Sequence, residues 1–175
     1  MQRLLISLLL AAVTACSGAT QPPPGQNNTN TVVVPDPPSG PHLRVTAQRN
    51  GADVDVTVRA YGVGDVFGLS YHLTFDPAVL QAQAGPGTQD TLLGDAQSAH
   101  TVLALRSGDV VAGGVRKLVG LGAVAIPDGH TLLQTRLHAV AAGVTTLRVE
   151  RVVVKRANGT LVPAVGTSYP LEVAP

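Results

Sequence analysis

The sequence predicts an all-β fold, a sandwich of two sheets, on three observations. The apolar residues are mainly valine, leucine and alanine, with no tryptophan, and β-branched side chains suit a pleated surface. There are 19 glycines and 13 prolines, the residues that turns require. Several short segments alternate apolar and polar residues, and no long segment carries a helical period.

At 175 residues the chain has room for one domain of the usual size, about 100–200 residues, with appendages. Residues 1–15 read as an address. Arg3 supplies a positive start, and Leu4 to Val13 form an apolar run shorter than the roughly 20 residues that span a bilayer. The run ends in Val13-Thr14-Ala15-Cys16, which resembles the lipobox of bacterial lipoproteins. The resemblance implies cleavage before Cys16 and lipidation of its thiol, with the mature protein anchored to a membrane by acyl chains worth about 0.8 kcal/mol per buried CH₂. Ser17 does not resemble the aspartate that retains lipoproteins in the inner membrane, so the expected location is the cell envelope, at the outer membrane where there is one. The other reading is an ordinary signal peptide and a stray thiol. Cys16 is the only cysteine, so no disulfide can form within one chain.

Residues 16–41 read as a linker, SGATQPPPGQNNTNTVVVPDPPSGP after Cys16. They are polar and proline-rich, with little to bury in return for ordering entropy. Val32 to Val34 are the exception, a short apolar run hemmed in by Pro35, Pro37 and Pro38.

The folded domain is expected over residues 42–175. Leu43 to Ala47 make a first strand and Asn50-Gly51 a hairpin turn, since both residues tolerate the positive φ of a type I′ turn. Val54, Val56 and Val58 then point inward, between Asp55, Thr57 and Arg59. After the turn at Gly62 to Asp65 comes the segment VFGLSYHLTFDPAVL, Val66 to Leu80. Phe67, Leu69, Tyr71, Leu73 and Phe75 occupy every second position, with Gly68, Ser70, His72 and Thr74 between them, the period of a strand with one face buried. Asp76-Pro77 stops the strand, because proline has no N–H for a ladder. The chain loosens from Gln81 to Ala99 around Gly85-Pro86-Gly87. Strands over Thr101 to Arg106 and Val110 to Val119 flank a Ser107-Gly108-Asp109 turn, and Gly113-Gly114 in the second implies a bulge or a close backbone approach. Gly120 to Gly129 is read as a loop. Thr131 to Val140 is a strand, with Leu133, Thr135, Leu137 and Ala139 on one parity and Leu132, Gln134, Arg136 and His138 on the other. Val144 to Ala157 is the longest strand. Its inward parity shifts between Leu147/Val149 and Val152/Val154, which requires an extra residue, so a bulge is expected near Glu150-Arg151. Asn158-Gly159 reads as a type I′ hairpin and Tyr169 to Val173 as a closing strand.

The alternating strand ending in FDPAVL, the Leu132-Leu133 strand running to Ala-Ala-Gly, and the long VTTLRVERVVVKRANGT hairpin together resemble the cohesin domain, over about residues 42–174. The resemblance implies a nine-stranded jelly-roll sandwich that, in the best-known members, binds calcium-loaded dockerin modules through one sheet face. It places the candidate binding face at Gly68, Ser70, His72 and Thr74, the outward positions of the central strand. Where cellulosomal cohesins carry Asn and Asp there, this chain has Gly68 and Ser70.

Catalytic chemistry finds little footing. Asp53 and Asp55 share one strand face, while Asp76, Asp90, Asp95, Asp109 and Asp128 lie in or beside turns, where aspartate ordinarily binds nearby backbone. His130 and His138 fall eight positions apart, on one face but about 26 Å apart at 3.3 Å per residue, too far to share an ion. His72 and His100 could approach only across a sheet. No metal site, cofactor motif or calcium loop is expected, and Ser70-Tyr71-His72 offers no organised nucleophile. Taking Arg3 away from 12 basic residues leaves 11 against 11 acidic ones, which gives no reason to expect nucleic acid as a partner. Arg148, Arg151, Lys155 and Arg156 make the last hairpin locally basic. The expected function is non-catalytic: an envelope lipoprotein whose cohesin-like domain binds a protein, a dockerin-like one among the possibilities. The alternatives are a polysaccharide-binding module, for which exposed aromatic rings are few, and a structural lipoprotein.

Overall fold

The structure is a computed structural model, which describes residues 35–83, 88–89, 93–95, 97–117 and 122–173. The expected signal peptide, Cys16 and the linker through residue 34 lie outside the described residues, as do Gly85-Pro86-Gly87 and Asp90. The described chain is all strand and turn, in two main sheets and a ribbon.

The first sheet is built on a meander. β1 (His42–Asn50) and β2 (Asp53–Tyr61) form a hairpin, and β10 (His130–Ala139) lies on the other side of β2. Short strands β5 (Leu80–Ala82) and β6 (Thr88–Gln89) pair with β10, and β13 (Val165–Gly166) runs parallel to β1. The second sheet runs β12 (Leu161–Val162), β11 (Gly143–Lys155), β4 (Gly68–Thr74), β8 (Asp109–Arg116), β7 (Ala99–Arg106), with β14 (Ser168–Val173) on the first half of β11. A separate ribbon pairs β3 (Gly64–Val66) with β9 (Val124–Ile126). The loops expected at Gly62 to Asp65 and at Gly120 to Gly129 thus supply two short strands. Val63, Val66 and Ile126 fasten the ribbon to the core.

The core follows the predicted parity. Leu43, Val45, Val54, Val56 and Val58 of the first sheet face Tyr71, Leu73, Val110, Leu147 and Val154 of the second, all essentially without solvent exposure. The segment FDPAVL closes the central strand through its aspartate. The Asp76 carboxylate accepts from Ala78 N at 2.8 Å, its carbonyl accepts from Val79 N and Leu80 N, and its own N–H donates to Thr145 Oγ1 at 3.0 Å. Val79 and Leu80 are thereby turned into the core. Phe67 is only half-buried, with Val66 taking the fully buried place before the strand begins at Gly68.

Both hairpin turns differ in detail from expectation. Asn50 pairs with Asp53, so the central residues are Gly51 and Ala52, and only Gly51 has positive φ, as in a type II′ turn. Around Asn158 the bond from Gly159 N to the Arg156 carbonyl closes a turn with positive φ at Gly159 alone. Asn158 Oδ1 accepts from Thr160 N and Oγ1 instead, so the turn is not type I′.

The bulge on β11 is where the parity shift put it. Glu150 pairs with His72 and Val153 with Ser70, so Arg151 and Val152 together oppose Tyr71, and Arg151 adopts φ of 51°. A second bulge was not foreseen: on β10 the register with β2 slips between Thr131 and Leu133, and Leu132 and Leu133 are both buried. His130 consequently pairs with buried Ala60 while His138 pairs with Asp53 on the outer face. The expectation that these histidines share a face fails because of that extra residue. Gly113-Gly114 carries no bulge, since the register of β8 with both neighbours is unbroken.

Chain order brings the last segment across the open side of the sandwich. β12 lies on the second sheet, β13 on the first, and at Thr167 the chain crosses back. Thr167 is bonded to both sheets: its N–H donates to the Leu43 carbonyl, its Oγ1 accepts from Val45 N, and its carbonyl accepts from Val149 N. Gly166 passes so close to β11 that an added Cβ would run into the Val149 carbonyl.

Candidate binding face

The central strand β4 sits between β11 and β8, and the unbroken register of β8 with β7 completes a four-strand grid of outward side chains. From one end its rows are His100–Val115–Gly68–Lys155, Val102–Gly113–Ser70–Val153, Ala104–Val111–His72–Glu150 and Arg106–Asp109–Thr74–Arg148. Antiparallel partners share a face, so each row is a line of neighbours.

The first two rows form an apolar concavity of about 390 Å³ lined by Gly68, Ser70, Val102, Gly113, Val115 and Val153. Its floor is low because Gly113 and Ser70 are small, and its walls are Val102 and Val153, 55% and 46% exposed. Gly113 is the only residue type the floor admits, since an added Cβ would lie 2.8 Å from the Leu69 carbonyl oxygen and 3.0 Å from Ser70 Cβ. That close approach is what the paired glycines signal.

The last two rows are polar apart from Ala104 and Val111. His72 Nδ1–H donates to the Asp109 carboxylate, 3.0 Å from Oδ2 and 3.1 Å from Oδ1. Beside it a second concavity of about 360 Å³ is lined by Thr74, Asp76, Thr146, Arg148 and Glu150 among others. One half of the face therefore offers apolar contact and the other a charged, hydrogen-bonding surface.

The four residues named from sequence do lie on one face, but unequally. Ser70 is exposed, His72 and Thr74 are half-buried, and Gly68 is covered, with Val115 close enough to meet an added Cβ at 3.4 Å. Sequence reasoning missed Val102, Val115 and Val153. Their outward parity was readable strand by strand, but their convergence depends on the pairing register of β7, β8 and β4 and, for Val153, on the register across the Arg151 bulge.

On the opposite outer face Asp55 accepts from Arg136 Nε at 2.8 Å and Asp53 accepts from His138 Nδ1 at 2.9 Å, each across the β2–β10 pair. The bond from Asp55 raises the affinity of the Arg136 guanidinium for its proton. Elsewhere Asp128 accepts from Gly62 N, and Asp95 accepts from Gln97 N, Ser98 N and Ser98 Oγ, bonds that hold its carboxyl below the ordinary carboxylate range. Among the described residues no three of His, Cys, Asp and Glu gather to hold a metal ion.

No protein-family model and no curated protein matches the chain. Comparison with solved structures is decisive for the fold. The second type II cohesin module of the ScaA scaffoldin of Acetivibrio cellulolyticus superposes with a TM-score of 0.59 at 14% identity, over 79% of this chain and 93% of that one. The fold is that of cohesin modules. A cohesin module of a family 33 glycoside hydrolase from Clostridium perfringens gives 0.54 at 12% identity, covering 75% of this chain and 96% of the other. The sixth cohesin of Acetivibrio cellulolyticus scaffoldin B, solved in complex with a Cel5 dockerin, gives 0.56 at 11% identity, over 74% and 97%.

Proposed function

We propose that the chain is a non-catalytic, lipid-anchored envelope protein whose cohesin-like domain takes a protein partner, dockerin-like in kind, on the outer face of β7, β8, β4 and β11. The observation that carries this reading is the apolar concavity on the outer face of these four strands beside its polar margin, the arrangement of an interface centre and rim. By ordinary strand dimensions the grid measures roughly 14 by 20 Å, less than the about 800 Å² that each partner buries in a standard interface, so flanking loops contribute to docking. A sugar platform is disfavoured by the aromatic rings: Tyr71 and Phe75 are buried, Tyr61 stacks on His42 at 5.0 Å and Tyr169 packs against the core, which leaves half-buried Phe67 as a single ring rather than a platform.

The test is calorimetric titration of the domain with a panel of calcium-loaded dockerin modules, starting with any encoded in the same genome. Ser70→Arg should weaken binding at least about 30-fold, as loss of a hot-spot contact does, with the fold retained in circular dichroism. Asp55→Arg, on the opposite face, should leave affinity unchanged. Equal affinity for wild type and Ser70→Arg would exclude the face.

A further inference from the structure

The basic last hairpin borders the apolar concavity. Along β11 the side chains of Arg148, Arg151 and Lys155, followed by Arg156 just beyond the strand, are all exposed, and the one exposed carboxylate among them is Glu150. Among the described residues none of these five groups makes an ion pair. The other carboxylate of the grid, Asp109, is half-buried and bonded by His72. The chain as a whole has 12 basic and 11 acidic residues, so the excess of positive charge is local to this margin. Lys155 itself lines the concavity together with Val153 and Gly68.

We infer, on the docking face proposed above, that the partner's surface is acidic on one side: an aliphatic side chain fills the concavity while carboxylates beside it meet the cations of the β11 margin. Spacing excludes a small anion. Arg148 and Lys155 are seven positions apart on a strand with one extra residue, which sets them about 20 Å apart at 3.3 Å per residue, so no single phosphate or small acid reaches both. The floor of the concavity, at Ser70 and Gly113, lies one and two strands from β11, hence about 5 and 10 Å away. A surface that seats an aliphatic group at that distance from a row of negative charges is a protein's. Nucleic acids and anionic glycans carry the charge without the anchor. The two parts act differently. The anchor is desolvated at the centre and governs how long the complex lasts, whereas exposed cations at the rim remain solvated and mainly speed encounter.

Association kinetics of the full chain with the tightest-binding calcium-loaded dockerin module of the panel read the two parts separately. Arg148→Glu combined with Lys155→Glu should lower kon at least about 10-fold and leave koff within about 2-fold. Arg148→Glu alone should lower kon several-fold, and Arg148→Lys should keep the wild-type rate. Arg59→Glu makes the same change of net charge on the exposed face of β2 and should leave kon unchanged. Raising the salt from about 0.05 to about 0.5 M should remove most of the difference between wild type and the double variant, because exposed charges are screened. A double variant that associates as fast as wild type overturns the inference, and if Ser70→Arg still weakens that complex, the docking face stands without it. An equal loss with Arg59→Glu overturns it as well, since net charge and not its place is then at work. Heparin bound as tightly as the module overturns the protein occupant. A panel in which no module binds overturns the docking face and the inference together.

Discussion

Leu73 and Thr74 are adjacent, yet Leu73 is fully buried and Thr74 lies on the outer face. The alternation of a half-buried strand makes this division, and it sets the scale of the two truncations. Leu73→Ala removes buried methyl groups and leaves a cavity, so it should lower the free energy of unfolding by about 2–5 kcal/mol. Thr74→Ala should change it by less than about 0.5 kcal/mol. Urea denaturation of both variants checks the parity, and equal losses would reverse it. Gly166 is constrained more sharply than either. Gly166→Ala sets a methyl group against the Val149 carbonyl at the point where the chain crosses between sheets, and it should cost at least about 3 kcal/mol through overpacking. Gly159→Ala, whose Cβ would meet only the Lys155 side chain at 3.9 Å but where φ is 85°, should cost only about 1–2 kcal/mol from the left-handed backbone. Thermal denaturation of the pair separates steric from conformational cost.

At the scale of the element, β11 shows how one residue governs a face. Two residues on β11 oppose Tyr71 alone, so Val154 returns to the core and Val153 is delivered to the outer wall of the concavity. Arg151 holds the required left-handed backbone with φ of 51°, a conformation that costs an L-residue about 1–2 kcal/mol. Arg151→Gly should therefore raise stability by about 0.5–1 kcal/mol, the glycine's greater unfolded entropy taking back part of the gain. Deleting Arg151 should have the opposite effect, because every side chain beyond it changes face. Chemical denaturation of these two variants checks the bulge. A stability gain on deletion would remove it from the account.

For the whole molecule, the described domain is one core clasped by a final segment that bonds to both sheets, and the proposed anchor lies outside it. Cys16→Ala is expected to release the protein from the membrane fraction or leave it unprocessed, as fractionation and N-terminal sequencing will show. Wild-type partitioning and the same cleavage site would dismiss the lipoprotein reading. The domain from His42 should unfold in a single transition without residues 1–41, burying close to two-thirds of its unfolded surface.

Local chemistry settled a large part of this in advance. Alternation of Val54, Val56 and Val58, and of Leu69, Tyr71 and Leu73, determined which faces are buried, because the side-chain period of a strand is two and burial of apolar area rewards one choice. The shift between Leu147/Val149 and Val152/Val154 even announced the bulge, since a strand cannot change face without an extra residue. The second bulge stayed hidden because Leu132 and Leu133 are both apolar, and either could have been the inward residue. Turn types escaped for a similar reason: Asn-Gly suits several turns, and cross-strand register decides which residues sit at the centre. The candidate face was half legible. Ser70, His72 and Thr74 came from one strand's own pattern, but Val102, Gly113, Val115 and Val153 belong to three other strands. Only the tertiary structure, by pairing β7, β8, β4 and β11 in one register, could bring them together, because the pairing is made by contacts far apart in the chain that no local pattern encodes.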